Sequence, residues 1–397
     1  MIQQQAAETF AKLGWPTPRI EEWKYTNLAP LSKIDWRADD QARDVPMTTP
    51  LGALATFELV FVNGKQVERR PLRAPNGISA AEAAAAPQKT IADWERNAMI
   101  ALNYANMQDG ARIEIPAGTV VDGFIHLLFI GSGDGIWSHP RNQIVVGANA
   151  QVAIVETYTG TGAYFTNAVT EIVAGEGAVV DHYRLQCESS TAFHIGNVAI
   201  HQERGANVTS RSIAIGAALA RNETNVALAG EGASIVLDGL FAGTAKQHLD
   251  NRTVIDHIKP HCESYELYKG ILDQNARGIF DGRIIVRPDA QKTVSRQENR
   301  NLLLSESAVV DSKPTLEIHN DDVKCNHGST IGQIEQEPLF YLRSRGIGEQ
   351  EARNLLVHAF ASEIVDRMKI EPVREQIRRA LFQAMPERLP ERRGETR

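Results

Sequence analysis

The sequence predicts a mainly β protein, a right-handed parallel β-helix flanked by N-terminal and C-terminal helical domains. Three observations carry that expectation. First, a short unit recurs: Asn149-Ala150-Gln151-Val152, Gly177-Ala178-Val179-Val180, Gly205-Ala206-Asn207-Val208, Gly232-Ala233-Ser234-Ile235, His261-Cys262-Glu263-Ser264 and Asp289-Ala290-Gln291-Lys292. Its second residues, 150, 178, 206, 233, 262 and 290, are separated by 28, 28, 27, 29 and 28 positions. Second, the runs between units are short and β-rich, such as Ala153-Ile154-Val155 and Ile284-Ile285-Val286, without the helical patterns a βαβ chain would need. Third, the apolar spacing turns helical after Pro338.

The period decides the architecture. Repeats of roughly 20 to 50 residues mark solenoids and propellers, and a propeller blade needs about 40 or more. One solenoid coil suits 28 residues better, which puts a β-helix first and a β-sandwich second. The implied organisation is an N-terminal helical domain over residues 1–106, the β-helix over 107–335, a C-terminal helical domain over 336–385 and a frayed charged tail over 386–397.

Within the first segment, Phe57–Val62 followed by Asn63-Gly64 and Gln66-Val67 predicts a hairpin, because Asn-Gly suits a tight turn. Ser79–Ala86 is rich in alanine and predicts a helix stopped by Pro87, and Ile91–Ala105 predicts a second. At the other end, Ala352, Leu355, Leu356, Ala359, Phe360, Ile364 and Met368 follow helical spacing. Pro372 then suits the first turn of a further helix carrying Val373, Ile377, Ala380, Leu381 and Ala384 on one stripe.

Composition narrows the function. The formal net charge of -7 gives no general basic field for nucleic acid. No run approaches about 18 apolar residues, the N-terminus lacks a signal-peptide pattern, and three widely spaced cysteines suit a reducing compartment. A cytoplasmic protein is expected. Gly64-Lys65 stands without the glycine-rich lead-in of a phosphate loop, so no ATP hydrolysis is expected of this chain alone.

Val323-Lys324-Cys325-Asn326-His327-Gly328 is the sharpest chemical candidate. On an extended strand Cys325 and His327 share a face, roughly 7 Å apart. Thiolate and imidazole there suit iron or zinc. The competing reading is an interior face, shared with Val323, holding a buried thiol and a satisfied histidine. Two ligands cannot close a tetrahedral site, so any metal here would be shared with another chain or a small molecule. His257 and His261 flank Pro260, which disfavours the helix that would align them. Asp238, Asp273 and Asp281 fit turn or surface roles, with stacked catalytic carboxylates of a polysaccharide-acting β-helix as the alternative.

Several further runs occur in a familiar order: Arg19-Ile20-Glu21-Glu22-Trp23-Lys24-Tyr25-Thr26, Ile115-Pro116-Ala117-Gly118, Arg221-Asn222, His261-Cys262-Glu263-Ser264 with Tyr268-Lys269-Gly270, Pro314-Thr315-Leu316-Glu317-Ile318, Lys324-Cys325-Asn326-His327-Gly328-Ser329-Thr330, and Phe340–Gly346. Together they resemble the SufD branch of the SufB/SufD family, the non-ATPase scaffold subunits of SUF iron–sulfur cluster assembly. Ser329 stands where that branch more often has Ala.

The resemblance implies the β-helix with helical ends, pairing with a SufB-like paralogue through the β-helix, and binding of the SufC ATPase through the C-terminal helices at Leu355, Leu356, Ala359, Phe360 and Ile364. It implies a transient, nascent iron–sulfur cluster at the SufB interface, with His327 as a ligand and Cys325 beside it. A flavin is assigned by neither the residues nor the resemblance. A purely architectural subunit and a self-pairing homodimer remain alternative readings.

Overall fold

The computed structural model describes residues 2–39, 51–71, 79–82 and 90–384. Its centre is a parallel β-solenoid of about eight turns, built from two long sheets that face each other. The chain alternates between the sheets, so neighbouring strands within a sheet come from successive coils. Phe165 pairs with Phe193, Leu219 with His248, and Arg277 with Val309 on one sheet. On the other, Val179 pairs with Asn207, Glu263 with Val294, and Val294 with Lys324.

The recurring unit is the corner between the sheets, and its chemistry explains its period. Asn149, Gly177, Gly205, Gly232 and His261 have φ between 57° and 69°, the left-handed region where glycine and asparagine are least strained. Each donates its N–H to the next coil: Asn149 to the Glu176 carbonyl, Gly177 to Arg204, Gly205 to Glu231 and Gly232 to Pro260. The residue that follows points into the solenoid. Ala150, Ala178, Ala206, Ala233, Cys262 and Ala290 are all 0% exposed, a column of small side chains at the tightest point of the coil. In the last unit the left-handed position moves from the expected Asp289 to Lys292, which donates to the Asp322 carbonyl.

The hairpin forms as the sequence predicts. Phe57–Val62 pairs antiparallel with Lys65–Pro71 across Asn63 (φ 49°) and Gly64 (φ 81°), and also joins the solenoid by pairing with Ile125–Ile130. The alanine-rich helix does not form where it can be followed. Ser79–Glu82 is a strand paired antiparallel with Ala111–Glu114, so tertiary pairing overrides local propensity; residues 83–89 lie outside the described segments.

Besides two short 3-10 turns, Glu21–Trp23 and Gly52–Leu54, the described residues form six α-helices: α1 (Ile2–Leu13), α2 (Ala29–Ser32), α3 (Ala98–Asn106), α4 (Gln336–Ser344), α5 (Glu349–Val365) and α6 (Glu371–Ala384). The predicted helix over Ile91–Ala105 begins only at Ala98. Asn97 caps it by accepting from the Met99 and Ile100 amides, while the Ile91 and Ala92 amides are taken by the buried Glu171 carboxylate at 2.6 and 2.9 Å. Trp23, Leu28, Leu31, Trp36 and Met99 pack on Phe165, Ile195 and Leu219 of one sheet. The C-terminal helices cover the other sheet, with Ile364, Met368, Val373, Ile377 and Leu381 against Tyr183, Ile213, Leu240 and Ile271. The solenoid thus carries a helical layer on each face, and its last two strands stand at the end of the two sheets.

Candidate functional site

Cys325 and His327 lie on the final strand, Lys324–Gln333. It pairs in parallel with Val294–Leu303, placing Cys325 beside Ser295 and His327 beside Gln297. Alternation does what the sequence required, and both side chains fall on the inward-facing register of the coil. In the coil beneath, that register is sealed: Ser295, Gln297 and Asn299 are at most 1% exposed. Among the described residues no further coil covers the final strand. Cys325 is half-buried against the main core with Val323 and Leu316, whereas His327 is exposed. The competing interior reading therefore fits Cys325 in part and His327 not at all.

Burial raises the Cys325 thiol above its ordinary pKa. Metal coordination would have to offset that cost, since the thiolate is the ligand form. Beneath the pair run two hydrogen-bonded columns. Under Cys325, Ser295 Oγ meets Ser264 Oγ at 2.7 Å, and Ser264 Oγ meets His257 Nε2 at 2.9 Å. Under His327, Gln297 Nε2 donates to Glu266 Oε2 at 2.6 Å. Burial pushes His257 down to about 4 and Glu266 up to about 7. Beside the pair, Ser329 Oγ and Ser312 Oγ are 2.8 Å apart, and Ser312 donates to Asn299 Oδ1 at 2.7 Å. Motif spacing pointed to none of these supporting residues. Their only trace is the wholly polar alternation Ser295-x-Gln297-x-Asn299-x-Asn301, whose first position, Ser295, stacks in register on Val152, Val180, Val208 and Ile235 of earlier coils.

No group of three His, Cys, Asp or Glu able to hold a metal occurs among the described residues. The donor types at Cys325 and His327 suit iron, but they make up only part of a coordination sphere. The final strands of both sheets, Val309–Ile318 and Lys324–Gln333, are also edges, with no further strand beyond them among the described residues. Ile331, 53% exposed, continues the inward register in the open.

The other candidates separate. His257 is buried, while His261 is exposed at its left-handed corner. Asp238 is buried against Arg211 and Arg367 at 3.4 and 2.9 Å, Asp281 lies on the other sheet, 3.6 Å from its strand neighbour Arg252, and Asp273 accepts from the Gln274 amide. They form no stacked carboxylate site.

The structure divides the C-terminal stripe. The buried residues of α5 are Ala352, Val357, Ala361, Ile364 and Val365, so the expected Ala352 and Ile364 face inward while Val357, Ala361 and Val365 replace the middle of the stripe. Ile364 is 0% exposed, and Phe360 lies under the Lys269 ammonium, 3.9 Å from its ring centroid. Leu356 is half-buried. Leu355 and Ala359 face outward, and the nearby α4 adds Phe340 at 73% exposed and Tyr341 at 56%.

A family model for the SufBD core domain of SUF iron–sulfur cluster assembly matches residues 129–360, and one for the SufBD N-terminal region matches residues 1–127. The chain belongs to the SufBD family. It is 34% identical to an iron–sulfur cluster assembly SufBD family protein of Synechocystis, over 96% of this chain and 89% of that one. It is 29% identical to the iron–sulfur cluster assembly protein SufD of Escherichia coli, over 96% and 92%, and 28% identical to SufD of Bacillus subtilis, over 71% and 66%. The chain is therefore SufD-like, an iron–sulfur cluster assembly protein, and the SufBD core match spans the final coil with Cys325 and His327.

Proposed function

We propose that this chain is the SufD-type subunit of a SUF scaffold. In this reading it pairs through its open coil with a SufB-like paralogue, and His327, with Cys325 beside it, contributes to the interface where a nascent iron–sulfur cluster forms. The cluster is cargo. A neutral imidazole holds iron less firmly than a thiolate does, which suits a site that must release what it builds. The observation that carries this reading is that the inward face holding the pair is left uncovered at a sheet edge, with too few ligands to act alone. A second β-helix would extend both sheets, cover Ile331 and supply the missing donors.

ATP hydrolysis belongs, in this reading, to a SufC partner bound by the C-terminal helices. The exposed Phe340, Tyr341, Leu355 and Ala359 offer the apolar surface for it. SufC movement on ATP binding would be transmitted to the final coil, which runs directly into α4. The complex works in the cytoplasm.

The test is native mass measurement of the chain co-expressed with SufB and SufC, wild type against His327→Ala, scored for complex and bound iron. Loss of iron from an intact complex supports the ligand role. Equal iron in both would sink it and leave the subunit architectural. Failure of the wild type to form the complex would sink the pairing itself.

A further inference from the structure

Gln297 lies directly beneath His327 in the parallel register and is 0% exposed. Its amide is oriented from two sides. Below, Nε2 donates to Glu266 Oε2 at 2.6 Å. Across the solenoid, a Cβ built on Gly282 would lie 2.4 Å from the same Nε2 and 2.9 Å from Cδ, so the missing side chain at Gly282 makes the room the amide occupies. With its nitrogen committed to Glu266, Gln297 is left with a buried Oε1 that has no hydrogen-bond partner among the described residues. An unmet buried acceptor is costly, and it persists where something outside the isolated fold, or a small rearrangement, satisfies it. Stacked strands lie about 4.8 Å apart, which puts the exposed imidazole one coil above within reach of this oxygen.

We propose that Gln297 is a positioning residue for His327: its Oε1 accepts one imidazole N–H, fixing the tautomer and leaving the other ring nitrogen with its lone pair toward the open end. The inference deepens the reading of His327 as an iron ligand and rests on it. A ligating histidine is commonly held by an acceptor at its second nitrogen, which sets ring orientation and donor strength. Glu266 acts one step further down, by deciding which end of the Gln297 amide faces upward.

The experiment uses the full-length, metal-free chain with ¹⁵N-labelled histidine at about pH 8, where an ordinary imidazole is neutral. Long-range ¹H–¹⁵N spectra report the tautomer of each ring, and His327→Ala assigns the His327 signals. The wild type should favour one His327 tautomer by roughly fivefold over the free-imidazole ratio, as one net hydrogen bond would give. Gln297→Met, close in shape but without the acceptor, should return the ring to the free ratio. Gln297→Glu combined with Glu266→Gln, which exchanges donor and acceptor between the two and keeps an acceptor facing His327, should restore the bias. The signals of the buried His126 and His257 check that each variant is folded. A free-imidazole ratio in the wild type, or a bias that survives Gln297→Met, overturns the proposal. Since no metal or partner is present, that result leaves the iron test of His327→Ala untouched, and a negative iron test leaves the tautomer result standing.

Discussion

The Arg221 guanidinium stacks on the Trp23 ring with 3.9 Å between its carbon and the ring centroid, joining the N-terminal segment to the side of the solenoid. Arg221 is buried, pairs with Asp250 and Glu223, and donates to the Glu22 carbonyl at 2.8 Å. Thr26 adds a bond to Asp250 at 2.5 Å. The Glu-Glu-Trp-Lys-Tyr-Thr run is therefore a clamp whose aromatic, backbone and hydroxyl each find a partner on the same few outward positions of one sheet.

Breaking the clamp from the solenoid side should be expensive. Arg221→Met keeps bulk over Trp23 but leaves Asp250 and Glu223 buried without their cation, a loss of about 3–5 kcal/mol in comparable buried pairs. Denaturant unfolding should show that decrease. The double variant Arg221→Met with Trp23→Ala should cost less than the sum of the single changes, because the two residues are in contact. Strict additivity would mean that the stacking contributes nothing.

The pH dependence of stability should carry two opposing contributions from beneath the site. His257 titrates near 4 when folded against an ordinary 6.5, so its contribution is complete above pH 6.5 and is lost as pH falls toward 4. Glu266 titrates near 7 against an ordinary 4.5, so its contribution is complete below pH 4.5 and is lost as pH rises through 7. Each displacement corresponds to roughly 3 kcal/mol at most. His257→Gln should flatten the acid side of the stability profile, and Glu266→Gln should raise stability near pH 8 relative to pH 5. Unfolding midpoints measured across that range decide both, and unchanged slopes would contradict the burial argument.

Gly239 offers a packing test. A Cβ there would lie 2.1 Å from the Tyr268 ring, which is itself 3% exposed and has little room to move. Overpacking of this kind costs typically about 1–3 kcal/mol. Gly239→Ala should lose that much in thermal or denaturant unfolding, whereas Gly205→Ala, whose Cβ would meet no other described residue beyond its chain neighbours within 4 Å, should be penalised only for its φ of 62°.

These residues also show what could be read from the sequence. The coil was legible because its corner makes two local demands, a left-handed residue followed by a small buried one, and both recur as Gly-Ala or Asn-Ala. The pairing of Cys325 with His327 on one face was legible because a strand has period two. What could not be read depended on neighbours distant in sequence. Ser79–Glu82 became a strand because Ala111–Glu114 was there to pair with it. The last corner moved to Lys292 although Ala290 kept the buried place. The exposure of His327 follows from the lack of another described coil above it, and the roles of Gln297 and Glu266 from being stacked across coils.

The phase of α5 gives the last prediction, because it separates a surface from a core on one helix. Leu355 is 46% exposed and Ile364 is 0% exposed, although both belong to the stripe that the sequence suggested. Leu355→Ala should change the stability of the isolated chain by no more than about 0.5 kcal/mol, as is usual for an exposed side chain. Ile364→Ala empties a site between α5 and the solenoid and should cost about 2–5 kcal/mol. Partner binding should invert that order. If Phe340, Tyr341 and Leu355 form the surface for the ATPase, Leu355→Arg and Phe340→Asp should abolish co-purification with SufC while leaving the unfolding midpoint of the chain unchanged. Retained binding in both variants would move the partner surface elsewhere. Loss of binding only in Ile364→Ala would mean that the helix must be correctly seated but that its outer face is not what the partner reads.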